Sequence, residues 1–196
     1  MTRFSNPENL KPEALYKMSS VKTLYIHGLD SSPLPEKTAI MEQAGLKVTA
    51  PHLNYRKNKK VYNVLRNLIS ENEIEFIIGS SFGGMLAYWL GEDLGIPVLL
   101  FNPAVVYWSV SIDLPEIKNY TCPLRMVVLG EKDNIVDPEK NKVFFAEKER
   151  EGLTQKVISC SWLAHSIDFQ TFDEMVLWAI KNYGIWKILS LSRNIS

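Results

Sequence analysis

The stretch Glu75-Phe76-Ile77-Ile78-Gly79-Ser80-Ser81-Phe82-Gly83-Gly84 decides how the rest of the chain is read. A short apolar run ends in Gly-x-Ser-x-Gly, and a helical pattern follows over residues 85–94. That is the sequence form of a nucleophile elbow, a tight strand-turn-helix that lifts one serine above the edge of a sheet. The spacing has a steric cause. The central serine sits in a strained backbone conformation, so the residues two before and two after it must be small for the chain to fold back. Only Ser81 has glycine on both sides, at Gly79 and Gly83; Ser80 would have Ile78 and Phe82 there. Ser81 is therefore the candidate nucleophile. A glycine-rich turn without chemistry would carry the same motif, so the rest of the chain has to supply the argument.

Outward from the elbow, short β-rich runs alternate with helical patterns. Residues 21–27, 46–50, 76–79, 97–101, 125–129 and 156–160 read as strands. Residues 35–44, 58–71, 85–94, 139–149 and 169–183 read as helices, the second with the apolar stripe Val61, Val64, Leu65, Leu68 and Ile69. Strands without polar alternation are buried on both faces, and the helices between them supply the cover. The expected fold is α/β, a doubly wound, mostly parallel sheet. Residues 1–20 read as an N-terminal extension, 21–184 as the domain and 185–196 as a peripheral tail. That tail holds Ile185, Trp186, Ile188 and Leu189, apolar enough to pack on the body or on a second subunit.

Composition narrows the class. Lys and Arg number 22 and so do Asp and Glu, so no overall charge draws the chain to nucleic acid or to an anionic membrane. No apolar run approaches the roughly 20 residues that span a bilayer. Pro7, Glu8, Pro12 and Glu13 interrupt the first twenty residues, which do not read as a signal peptide. Cys122 and Cys160 lack metal-ligand spacing and read as buried thiols of a cytoplasmic protein. Neither a metal nor an organic cofactor is implied.

In a parallel sheet of this kind, ligands sit beyond the carboxyl ends of the strands. The chemically useful residues fall there. Ser81 follows one strand, Asp133 another, and His165 the last. The order Ser…Asp…His is that of the α/β-hydrolases. His165 would take the serine proton, and the acid would fix the imidazole tautomer and stabilise its charged form. Asp137 competes for the acid role, but it precedes Pro138 at a helix start, where an N-cap explains it; Asp133 is preferred. His27-Gly28 ends the first strand, where this fold builds half of an oxyanion hole. The expected donors are the amides of Leu29 and Phe82, with Gly28 allowing close approach and His27 bracing the loop. His52 is assigned to a loop without a role. Arg56, Lys57, Lys59 and Lys60 read as a solvated loop, with recognition of an anionic substrate as the alternative. Phe101, Tyr107 and Trp108 either wall an acyl pocket or belong to the core.

The blocks Leu24-Tyr25-Ile26-His27-Gly28-Leu29-Asp30-Ser31-Ser32-Pro33, Gly79-Ser80-Ser81-Phe82-Gly83-Gly84 and Phe101-Asn102-Pro103-Ala104-Val105, with the Asp133 and His165 loops, resemble the small bacterial α/β-hydrolases of the YqiA type. The resemblance spans roughly residues 21 to 184. It implies a compact hydrolase acting on carboxylic esters, with Ser81, Asp133 and His165 as triad. Ala164 departs from the glycine such proteins often place before the histidine, which puts that loop's backbone in question. The span 105–120 is too short for a large lid domain, which favours small or medium esters. The expected function is a serine esterase working through an acyl-enzyme on a small-molecule ester. A thioesterase or amidase with the same triad, or a binding protein on a hydrolase fold, is the alternative. The oligomeric state is not legible.

Overall fold

Strands that are apolar on both faces must be covered on both, and the chain achieves this by alternating strand with helix. The computed structural model describes residues 20–107 and 110–193. Strands β1 (Val21–Ile26), β2 (Leu46–Thr49), β3 (Phe76–Ser80), β4 (Val98–Phe101), β5 (Leu124–Gly130) and β6 (Thr154–Cys160) form one sheet. Its order is β2-β1-β3-β4-β5-β6, and every neighbouring pair is parallel. The helices are α1 (Pro35–Gln43), α2 (Val61–Asn72), α3 (Phe82–Leu94), α4 (Pro138–Glu147) and α5 (Phe169–Arg193).

Successive strand residues point to opposite faces, and each face has its own core. Leu24, Ile26, Ile77, Leu100, Val127 and Leu129 pack with residues of α2, α3 and α4. Tyr25, Phe76, Ile78, Phe101, Met126 and Val128 pack with Met41 of α1 and with Phe172, Val176 and Ala179 of α5. The sheet is thus doubly wound, and the carboxyl ends of its strands share one edge. Ile26 lies beside Gly79, and Ser80 beside Phe101, so the first, third and fourth strands end level with one another. No helix or strand interrupts the described residues between β4 and β5, where Ile112 and Leu114 lie against the first core. Among the described residues no helix is long and apolar enough to cross a membrane.

Most boundaries agree with the sequence reading to within two residues, and three differ by more. The second helix begins at Val61 rather than at residue 58, because Asn54 and Asn58 capture the backbone in turns. Their side-chain oxygens accept from the N–H groups of Lys57 and Lys60. The third begins directly after Ser81, so Gly83 and Gly84, expected in the turn, belong to its first helical turn. The last runs through Gly184 to Arg193. Gly184 is buried, Trp186 packs on Tyr183 with ring centroids 5.9 Å apart, and Lys187 reaches Glu75 at 3.0 Å. The segment expected as a peripheral tail that packs on the body or on a second subunit is, as far as Arg193, the end of a helix whose Trp186 packs against the second core.

Candidate active site

Ser81 stands where β3 turns into α3, with φ 54° and ψ −119°. A side chain larger than glycine rarely adopts such a backbone, which costs about 1–3 kcal/mol and persists only when its surroundings enforce it. They do. The Ser81 N–H donates to the Phe101 carbonyl at 2.9 Å, and its own carbonyl accepts from Met85 and Ala104, both at 3.0 Å. The flanking glycines are sterically required. A Cβ on Gly79 would lie 2.4 Å from the Gly83 carbonyl oxygen, and one on Gly83 would lie 2.3 Å from the carbonyl oxygens of Ile26 and His27. The sequence argument from Gly-x-Ser-x-Gly thus corresponds to two specific clashes.

From Ser81 a chain of hydrogen bonds crosses the edge of the sheet. Ser81 Oγ lies 3.0 Å from His165 Nε2, and His165 Nδ1 lies 2.8 Å from Asp133 Oδ2. The other carboxylate oxygen accepts from the N–H groups of Ile135 at 2.8 Å and Val136 at 2.9 Å. With the carboxylate as acceptor, the network assigns the proton to Nδ1 and leaves Nε2 free to accept from the serine hydroxyl. Burial pushes the Asp133 carboxyl upward, but the hydrogen bonds from His165, Val136 and Ile135 outweigh it and hold the group below its ordinary value. The Asp133 side chain is 1% accessible and that of His165 22%. The acid is sealed, while the imidazole still faces solvent.

Asn102, which the sequence reading left without a role, ties these loops together. It is fully buried at the end of β4, with φ 41°. Its Nδ2 donates to the carbonyls of Ala164 at 2.9 Å and His165 at 3.1 Å, while its Oδ1 accepts from the Gly130 N–H at 2.7 Å. One amide thereby holds the histidine loop against the strand that carries Asp133. Its only signal in the sequence was an Asn-Pro pair directly after a strand. Ala164 is not among the described residues with positive φ, so its departure from glycine leaves that loop unstrained.

The loop after β1 closes over the serine from the other side. A Cβ on Gly28 would lie 3.9 Å from Ser81 Oγ. His27 is buried and bridges the loop, with Nδ1 2.8 Å from the Gly28 carbonyl and Nε2 accepting from the Leu53 N–H at 3.0 Å. Burial, aided by neighbouring His52, lowers its pKa against the opposing pull of the Gly28 carbonyl. The Tyr55 hydroxyl donates to the His27 carbonyl at 2.5 Å, and its ring lies 4.9 Å from that of Phe82. Phe82 is the first residue of α3, so its N–H belongs to the group that has no partner inside a helix. Among the described residues nothing accepts from the N–H of Leu29.

The remaining expectations separate cleanly. Phe101 is core, 5.2 Å from Phe172, whereas Tyr107 is exposed and Trp108 lies outside the described residues. Asp137 caps α4, accepting from Glu139 at 2.9 Å and Lys140 at 3.2 Å. Arg56 pairs with Asp30, and Lys57, Lys59 and Lys60 are exposed. His52 is exposed, its ring 5.7 Å from that of His27. Cys122 and Cys160 are buried, and burial pushes the Cys122 thiol up to about 12. No group of three His, Cys, Asp or Glu side chains converges for a metal among the described residues.

The model of an uncharacterised protein family, UPF0227, matches residues 22–121, just over half of the chain. The chain belongs to that family. The match covers the Gly28 loop and the serine elbow and stops before Asp133 and His165. No match is found among the curated proteins. Among solved structures, a monoacylglycerol lipase of Paleococcus ferrophilus superposes with a TM-score of 0.61 at 15% identity, covering 83% of this chain and 93% of that one. A carboxylesterase of Bacillus cereus gives 0.60 at 14%, covering 84% and 90%. Arabidopsis thaliana SOBER1 gives 0.56 at 15%, covering 82% and 97%. At such identities the likeness speaks for the fold, which is a compact α/β-hydrolase fold.

Proposed function

We propose that the protein is a serine esterase that cleaves small or medium carboxylic esters through an acyl-enzyme. The observation that carries this reading is the unbroken line Ser81–His165–Asp133, with contacts of 3.0 and 2.8 Å, at the carboxyl edge of a hydrolase-fold sheet. The names of the lipase and the carboxylesterase that share the fold are consistent with it.

Ser81 Oγ attacks the ester carbonyl as His165 Nε2 takes its proton, and Asp133 stabilises the imidazolium without itself being protonated. Negative charge develops on the carbonyl oxygen, which the amides of Leu29 and Phe82 receive, the latter at the positive end of α3. His165 then passes its proton to the leaving alcohol. In the second half it draws a proton from water, which attacks the acyl-serine, and returns that proton to Ser81 Oγ as the bond to the acyl group breaks and the acid leaves. The strained Ser81 backbone keeps Oγ raised above the strand throughout, so little reorganisation is needed during the reaction.

Covalent labelling by a fluorophosphonate probe tests this without a known substrate. The wild type and Ser80→Ala should be labelled and should hydrolyse 4-nitrophenyl butyrate. Ser81→Ala should do neither. Undiminished turnover in Ser81→Ala would remove the mechanism.

A further inference from the structure

Next to the Gly28 loop the edge of the sheet is hollow. A cavity of about 190 Å³ is walled by Leu29, Asp30 and Ser31 after β1 and by residues 52–56 after β2. Two of its wall residues adjoin the site: Leu29 follows Gly28, which lies against Ser81, and the Tyr55 ring packs on Phe82. Strand order gives it a direction. His165 follows β6, on one side of Ser81, and the cavity follows β1 and β2, on the other. A leaving alcohol must face His165 to receive its proton, so the acyl half of a bound ester extends toward the cavity. At about 30 Å³ per water, the space holds roughly six heavy atoms. That is room for a short acyl chain.

Arg56 gives the cavity its chemistry. Its Nε donates to Asp30 Oδ1 at 2.8 Å and one Nη to Asp30 Oδ2. This side-on pair uses one edge of the guanidinium and leaves three of its five N–H groups without an acceptor among the described residues. The Asp30 carboxylate is already turned onto Arg56. Lys57, Lys59 and Lys60 follow at the surface and add positive charge nearby. A second carboxylate can therefore dock on the free edge of Arg56 without displacing the first.

We propose that this cavity is the acyl subsite for short esters whose acyl group ends in a carboxylate, held by the free edge of Arg56. The assignment rests on the serine-esterase reading. It makes the basic cluster part of substrate recognition through Arg56 alone.

The test compares kcat/KM for mono-4-nitrophenyl glutarate and for 4-nitrophenyl valerate, two acyl chains of equal length, after subtraction of the uncatalysed rates. The wild type should prefer the glutarate by roughly tenfold, the worth of one charge-assisted contact at a partly exposed site. Arg56→Gln should bring the ratio to about one; its side chain is 56% exposed, so the fold should tolerate the change. Lys57→Gln should keep the wild-type ratio. A wild-type ratio at or below one overturns the subsite while leaving the esterase intact. So does an equal loss in Lys57→Gln, which would indicate diffuse attraction. A preference that instead follows a carboxylate placed on the alcohol overturns the acyl assignment. Turnover of neither ester, with no fluorophosphonate labelling, overturns the esterase reading itself.

Discussion

Helix α3 and strand β5 each carry a polar group at both ends, and the two ends behave oppositely. At the carboxyl edge of the sheet, α3 begins on Ser81 and β5 leads to Asp133. At the other edge, Glu92 near the end of α3 meets Arg125 near the start of β5, both with fully buried side chains. The Glu92 carboxylate accepts from Arg125 at 2.6 Å and from Arg150 at 2.8 Å. Arg125 also donates to Gln155 at 2.7 Å and lies 5.1 Å from the centre of the Tyr88 ring. Apart from the Arg125 Nε, each nitrogen and oxygen of this pair has a partner. The Ser81–His165–Asp133 line is instead sealed at Asp133 and open at His165. Charges closed on one another resist change, because separating them leaves a buried charge unpaired. A line of hydrogen bonds that ends on an accessible hydroxyl can move a proton. The same two elements thus hold the fold at one end and expose chemistry at the other.

Four substitutions can break or sharpen that contrast. Asp133→Asn should show the largest effect, a loss of roughly 10⁴ in kcat, since an amide no longer enforces the useful imidazole tautomer. Asp137→Asn, four residues on, should leave turnover near that of the wild type, because asparagine also caps helices. Esterase kinetics on the two variants decide between the acids. Glu92→Gln should cost about 3–5 kcal/mol of stability by leaving two arginines without their counter-charge. That lowers Tm by roughly 6–20 °C in a chain of this size, read by thermal denaturation, with kcat per folded molecule unchanged. A lost kcat with an unaltered Tm would mean that the two ends are not separate.

Asn102→Gly should fall between these extremes. Glycine accepts the positive φ at position 102 without strain, so only the side chain is lost. With the His165 loop released, kcat should fall by roughly 10–100-fold while KM changes little. An equal loss of stability without any change in kcat would make Asn102 purely structural. The smallest effect concerns pH. Because hydrogen bonds hold the Asp133 carboxyl below its ordinary value of 3.8, the folded state favours ionisation more than the unfolded state does. The associated stability is complete above the unfolded value and is lost as pH falls through the folded one. Between about pH 5 and 2.5 the Tm of the wild type should therefore fall more steeply than that of Asp133→Asn. Parallel curves would show that these hydrogen bonds do not bias folding.

How much of this was legible depended on the range of the interaction. Six strands, five helices and a parallel doubly wound sheet follow from apolar runs and helical stripes, which are local patterns. Gly79 and Gly83 flag Ser81 because the clashes they avoid lie within one tight turn and the strand next to it. The start of α3 departs from the local pattern for a related reason. Gly83 and Gly84 disfavour a helix intrinsically, but their missing side chains let its first turn lie against the end of β1 and against Pro103 after β4. The last helix, expected to end at residue 183, continues because Trp186 packs against the second core and Lys187 pairs with Glu75.

By itself, then, the sequence determined the layered architecture, the serine at the elbow and the order Ser81, Asp133, His165, since each is written in neighbouring residues or in simple succession. The tertiary structure alone decided what those residues meet. Ser81 and His165 stand 84 positions apart, and Asn102 reaches carbonyls 62 and 63 positions away. The Asp30–Arg56 pair joins loops that become neighbours only because β2 lies beside β1. No periodicity records such contacts, because the order in which strands join the sheet, rather than their order in the chain, sets which side chains share an edge.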